Sequence, residues 1–187
     1  THSRWQAIFA PALKEPDLLS WHQHGWQHKN HEPEGKKWEF GPSRDAGDKR
    51  TSLAKGMLRL RTIIGGQAEI IPVFTPPWNR VDKESAQALA DLGFSAISRS
   101  TGAKPDLSAI LPDLPVGVDL HTRKQDDPET SFAAMLEEMT GCLASGLCGF
   151  MIHHQRMNAA AFQFHQLLLE TLGRWNGLEL LGFRDLL

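Results

Sequence analysis

Four of the nine histidines, His22, His24, His28 and His31, fall within ten residues in the run Trp21-His-Gln-His-Gly-Trp-Gln-His28 and the three residues after it. Neutral imidazole is the commonest side-chain ligand for zinc and suits nickel and cobalt, so this concentration reads as a candidate divalent-metal site. His24 and His28 stand four apart and meet on one face if the backbone turns helically after Gly25. His22 and His24 would instead share a strand face, which leaves a different pair open, with His31 at the rim. The plainer alternative is a set of surface or hydrogen-bonded histidines. A zinc-protease pairing would need a glutamate directly after the first histidine as general base, and that position is Gly25.

Two further segments place polar groups at strand ends. In Val73-Phe-Thr-Pro-Pro-Trp-Asn-Arg80 a strand stops at consecutive prolines, which fix the backbone and present Trp78 and Asn79 rigidly. A tryptophan and an amide there suit a sugar-like substrate, and the backbone amides after the prolines could face a developing oxyanion. The competing reading is a strand-ending turn with Trp78 packed as core. In Gly149-Phe-Met-Ile-His-His-Gln-Arg-Met-Asn158 an apolar strand ends in paired histidines that point to opposite sides if the strand continues. One of them could reach a site as general acid, against helix capping or a core hydrogen bond. Asp119 and His121, two apart at another strand end, carry no specific signature. His165 lies among Phe162, Phe164, Leu168, Leu169 and Leu172 and reads as structural, and Asp126-Asp127 before Pro128 reads as a helix N-cap.

The elements that must position these groups follow from hydrophobic spacing and breakers. Apolar residues at near-helical spacing suggest a short or broken helix over 4–14, then a strand over 18–22 and a long loop over 29–47. Leu53, Met57, Leu60 and Ile64 form one helical face within 48–64, stopped by Gly65-Gly66. A strand over 69–75, a helix over 82–92, a strand over 94–98, a Pro-rich loop and a strand over 115–120 follow. Helix 128–145, strand 149–153, helix 159–175 and a closing strand over 178–183 complete the series. Strands alternating with helices imply parallel crossovers, hence an α/β layer or barrel whose reactive residues gather at strand ends.

At 187 residues the chain reads as a single domain over 1–187. An apolar fraction of 41%, a charged fraction of 22% and a formal net charge of -2 describe an ordinary globular protein and demand no acidic or basic partner. Lys49, Arg50, Lys55, Arg59 and Arg61 fit the wet face of a helix better than a nucleic-acid-tracking stripe. No stretch approaches the roughly 18 consecutive apolar residues of a membrane span, and the first residues lack a basic-then-apolar signal pattern. Cys142 and Cys148, six apart, match neither a redox pair nor a zinc ribbon; read as reduced, buried and structural, they point to a reducing, cytoplasmic setting.

The order His24-x-x-x-His28, then Pro76-Pro77-Trp78-Asn79 after a strand, then His153 after an apolar strand, resembles the polysaccharide deacetylase family. These proteins are also called NodB-like, or family 4 carbohydrate esterases, and the resemblance runs over about residues 18–158. It implies an α/β fold, a partial or distorted (β/α) barrel whose N-terminal strands are missing from this chain. It also implies a divalent metal, zinc, on His24 and His28; Pro77, Trp78 and Asn79 in a substrate-binding groove wall; and His153 as catalytic acid. The activity implied is metal-dependent hydrolysis of acetyl groups from N-acetylated or O-acetylated sugars; a non-catalytic glycan-binding or degenerate module is the alternative. Two departures stand out: Phe74 occupies the position of the family's loop arginine, and no Asp-Asp pair precedes His24. The expectation is that the chain begins inside the fold, with that pair and one or two strands ahead of Thr1.

Overall fold

A computed structural model describes residues 19–66 and 68–187 of the chain. The helix expected over 4–14 lies outside them, as does the first residue of the strand expected over 18–22. Strands and helices alternate, except that the third and fourth strands are joined by the Pro-rich loop with no helix between them. They are β1 (Trp21–His24), α1 (Ala46–Ile64), β2 (Ile70–Thr75), α2 (Lys83–Asp91), β3 (Ala96–Ser100), β4 (Asp113–Asp119), α3 (Pro128–Ala144), β5 (Gly149–Met151) and α4 (Ala159–Leu172). The fold is mixed α/β, with five strands hydrogen-bonded in the order β1-β2-β3-β4-β5. The β1–β2, β2–β3 and β4–β5 pairs are parallel, and a helix lies in the chain between the members of each, as a parallel connection requires. Among the described residues no helix is long and apolar enough to cross a membrane.

Two compact units make up the chain: the described residues up to Leu114 with Phe183–Leu187, and Pro115–Gly182. In the first, alternation along β2 sends Ile71 and Val73 into a cluster with Ala96, Leu114 and Phe183, and Phe74 into a larger core. That core joins Phe74 to Phe40, Leu53, Val81, Leu89 and Ile97, so β2 is covered on both faces as parallel strands usually are. Helix α1 opens on Asp45, whose Oδ1 accepts from Gly47 N and Asp48 N, and it stops at left-handed Gly65, where the Gly-Gly stop was expected. Leu53 and Ile64 are buried and Met57 and Leu60 half-buried, the face read from their spacing. Gly56 lets this helix close on β1: a Cβ there would overlap the Gln23 amide, which donates to Leu53 O at 3.2 Å.

The basic run of α1 is not all solvated. Lys49 is buried, and its Nζ lies 2.6 Å from Asp82 Oδ2 and 2.7 Å from Glu84 Oε2. Asp82 also caps α2 by accepting from Ser85 N at 2.8 Å. Lys49 therefore ties the two helices together, where the sequence had placed it on the wet face.

In the second unit Val118, Met135, Met139 and Leu172 form the core, with Phe150, Phe164, Leu168 and Leu178 against it. Asp127 caps α3 through Thr130 N at 2.8 Å, as the Asp-Pro signal implied, and Asn158 caps α4 through Ala161 N at 2.9 Å. A Cβ on Gly149 would overlap Pro115 O, so β5 needs glycine to approach β4. Cys142 and Cys148 are half-exposed rather than buried. The closing strand expected over 178–183 does not form: Gly177 turns left-handed, Leu180 and Leu181 are exposed, and Phe183–Leu186 makes a 3-10 turn. The adjacent leucines break the alternation a half-buried strand needs, and α4 already ends at Leu172.

Candidate functional site

His24 ends β1 opposite Thr75, the last residue of β2. The Thr75 carbonyl lies 3.0 Å from His24 Nδ1. A carbonyl only accepts, so Nδ1 carries the proton, and in the neutral form of the ring the lone pair lies on Nε2. Ligating histidines are commonly oriented this way through their second nitrogen. Beyond His24 the chain turns at Gly25 (φ +63°) and again at His28 (φ +55°), and the two imidazoles come to 5.3 Å between centroids. Both are exposed. The helical turn expected after Gly25 is absent; left-handed backbone at both residues brings the rings together instead.

Trp78 completes this face, its ring centroid 4.4 Å from that of His28 at an interplanar angle of 65°. Pro76 is extended, and Pro77–Asn79 makes one 3-10 turn in which Trp78 and Asn79 take φ +55° and +59°. Among the described residues, His28, Trp78 and Asn79 are the non-glycine residues with positive φ. Such backbone costs roughly 1–3 kcal/mol per residue, least for asparagine, and it concentrates at functional sites. Trp78 is half-buried, so it is not packed into the core, the alternative that the sequence left open.

The rest of the loop fixes this turn. Asn79 Oδ1 accepts from Ser100 N at 3.1 Å, joining it to the end of β3. Pro77 is buried under the histidine loop, where a Cβ on Gly25 would come within 2.5 Å of its Cγ. Asn79 N donates to Pro76 O at 3.0 Å and Arg80 N to Pro77 O at 3.2 Å. These two amides close the turn and so are not offered to an oxyanion; among the amides after the prolines, that expectation now concerns Trp78 N. Phe74, at the family's arginine position, is fully buried, with Phe40 and Phe94 edge-on at 5.5 and 5.9 Å.

Sequence reasoning missed the residue that holds the histidine loop. Glu39 is 0% exposed; its Oε1 accepts from Gln27 N at 2.6 Å and its Oε2 from Trp26 N at 3.1 Å. Arg44 Nη1 donates to the Glu39 carbonyl at 3.0 Å. Within a Lys/Glu-rich loop the only sign of burial was its place between Trp38 and Phe40. His22 is structural: its ring lies edge-on to Phe183 at 5.1 Å, and burial, then the neighbouring His24 charge, push its pKa down to about 4. His31 donates its backbone N–H to Trp38 O at 2.9 Å; burial, then Arg44 and Lys29, lower its pKa.

His153 belongs to the second unit and has its own surroundings there. Its Nε2 lies 3.6 Å from Asp119 Oδ2, and its backbone N–H donates to His121 Nδ1 at 3.1 Å. Asp119 Oδ1 accepts from His121 N at 2.9 Å and Thr122 N at 3.0 Å, and Oδ2 accepts from the Thr122 hydroxyl. Burial raises the Asp119 pKa, but these hydrogen bonds and the His153 charge outweigh it and hold the carboxyl below its ordinary value. Burial, then His153, lowers the pKa of His121. His154 is exposed and opens a 3-10 turn; β5 ends at Met151 rather than running to residue 153, so strand alternation does not set the directions of the paired histidines.

The metal implied by the resemblance would find two suitable donors. His24 has its tautomer fixed, His28 stands beside it, and the buried Thr75 Oγ1 at the same strand end has no hydrogen-bond partner among the described residues. No group of three or more His, Cys, Asp or Glu residues is arranged to hold an ion among the described residues. The imidazole pair therefore fits part of a coordination set. Comparison of the chain with family models, with curated proteins and with solved structures found no significant match.

Proposed function

We propose that the protein is a metal-dependent hydrolase that removes acetyl groups from N-acetylated or O-acetylated sugars, on a partial (β/α) barrel of the polysaccharide deacetylase type. The observation that carries this reading is the His24–His28 pair, 5.3 Å apart and beside Trp78 on left-handed backbone. A divalent ion such as zinc would supply Lewis-acid polarisation of the acetyl carbonyl and a more acidic water. His24 contributes Nε2, oriented by the bond from Nδ1 to the Thr75 carbonyl. Trp78 offers an aromatic surface for a sugar ring, fixed by its turn and by contact with His28. The resemblance gives His153 the part of general acid; within the second unit its Nε2 lies 3.6 Å from Asp119 Oδ2.

Zinc titration and acetate release from chito-oligosaccharides, on the wild type and on His24→Ala, test this. Zinc-dependent release in the wild type and its loss in the variant are expected; equal release from both ends the assignment. A second reading, a glycan-binding module without turnover, draws support from Glu39, whose two carboxylate oxygens both serve backbone amides rather than a reaction. It expects oligosaccharide binding that Trp78→Ala abolishes, with no acetate released.

A further inference from the structure

Past the end of β4, Leu120 N donates to Met151 O at 3.1 Å. In a parallel ladder, a residue that donates to one carbonyl accepts, through its own carbonyl, from the amide two residues further along the neighbour. The regular acceptor for His153 N would therefore be the carbonyl of Leu120. Here His121 Nδ1 accepts that proton at 3.1 Å, so an imidazole continues the ladder where the strands end.

We propose that His121 is a positioning residue for His153, holding its backbone so that the ring is presented to Asp119; this rests on the reading of His153 as proton donor. Four observations support it. His153 sits at φ -100° and ψ 74°, which is neither strand nor helix, so something other than regular structure must fix it. Its carbonyl is held from the other side by Arg156 N at 2.8 Å. With amide and carbonyl both engaged, the side-chain torsions remain, and Asp119 Oδ2 lies 3.6 Å from Nε2, facing the ring. Asp119 is in turn fixed by the amides of His121 and Thr122, so residues 119–122 hold residue 153 by both backbone and ring.

The bond also dictates a protonation state. Nδ1 accepts only while unprotonated, so His121 must be neutral with its proton on Nε2. Burial and the His153 charge favour that form; His165 on α4 and Arg156 act in the same direction, and Asp119 opposes them. Protonating His121 would release the His153 amide.

Hydrogen exchange and NMR titration of the full chain test this with His121→Ala, His121→Gln and His121→Asn. Asparagine places a non-titrating oxygen near the position of Nδ1; alanine and glutamine do not. Exchange of the His153 amide is expected to rise about tenfold in the alanine and glutamine variants, the loss of roughly one hydrogen bond. Asparagine should restore the protection. In the wild type the amide should lose protection as pH falls below the ordinary imidazole range, through the lowered pKa of His121, and in His121→Asn it should not. Wild-type exchange in His121→Ala, or no recovery in a His121→Asn protein that melts as the wild type does, overturns the proposal. If the alanine variant does not fold, the wild-type pH dependence decides, and its absence is equally fatal. None of these measurements needs a substrate, so they stand apart from a failure of acetate release, which would remove only the hydrolase reading.

Discussion

Glutamine at position 39 would keep the size of the side chain and remove its charge. Glu39 is fully buried, and each carboxylate oxygen accepts one backbone N–H, from Gln27 at 2.6 Å and Trp26 at 3.1 Å. Glutamine can accept through its oxygen alone, so the other N–H meets the amide's own NH2, donor against donor. A hydrogen bond to a charged group contributes about 1.5–3 kcal/mol, and a buried unpaired donor costs about 1–3 kcal/mol. One bond weakened and one lost give an expected destabilisation of about 3–4 kcal/mol, a large part of the roughly 5–15 kcal/mol that holds a domain folded. With a urea slope of about 2 kcal/mol per molar, the midpoint should fall by about 1.5–2 M. If the two units unfold separately, the shift belongs to the transition of the unit that contains Trp26. Hydrogen exchange should find the amides of Trp26 and Gln27 deprotected in the variant. A midpoint within about 0.3 M of the wild type, with both amides still protected, would refute the claim that this carboxylate organises the histidine loop.

Gly25→Ala is expected to cost about 2–5 kcal/mol, from left-handed φ and the collision with Pro77, whereas Gly35→Ala, also left-handed but facing open space, should cost about 1–2 kcal/mol; urea midpoints would separate them. Lys49→Ala leaves half-buried Asp82 without its cation and should destabilise by about 1.5–3 kcal/mol, while Lys49→Met, which fills the same space, should lose less by calorimetry, although both leave that carboxylate without a counter-charge. His22 has a folded pKa of about 4, below the 6.5 of the free side chain, because burial and then His24 disfavour its charge. Its stabilising contribution is therefore complete above about pH 6.5 and is lost as pH falls towards 4, up to about 3 kcal/mol; an NMR titration midpoint near 6.5 would contradict it. The Cys148 thiol, pushed up to about 12 by burial and then by Cys142, should resist iodoacetamide at pH 8, which mass spectrometry of the alkylated peptides would read.

Helices and their ends were legible wherever the deciding interactions are local. Leu53, Met57, Leu60 and Ile64 repeat at helical spacing, and Asp127 caps through a residue three away. His24, Trp78 and Asn79 could be singled out because residue type and the end of a strand both appear in one dimension. How they are held could not, since the bonds that matter join residues far apart in the chain. Glu39 reaches back to Trp26 and Gln27, Asn79 reaches Ser100, and His121 reaches His153, and no periodicity encodes such pairs. Lys49 was misplaced for the same reason, its carboxylates lying on another helix. The strand expected over 178–183 failed differently: apolar content suggested it, but the paired leucines at 180 and 181 violate the two-residue period.

On the proposed function, the left-handed backbone at His28 and Trp78 sets heat resistance against recognition. Glycine at either position would relax the chain, since it occupies that conformation without steric penalty, yet it would delete an aromatic ring from the exposed face. A library ranked by melting temperature alone would therefore drift towards variants that are sturdier and blank. Engineering of this protein would have to screen for ligand capture alongside thermal robustness, or gain its stability at other positions.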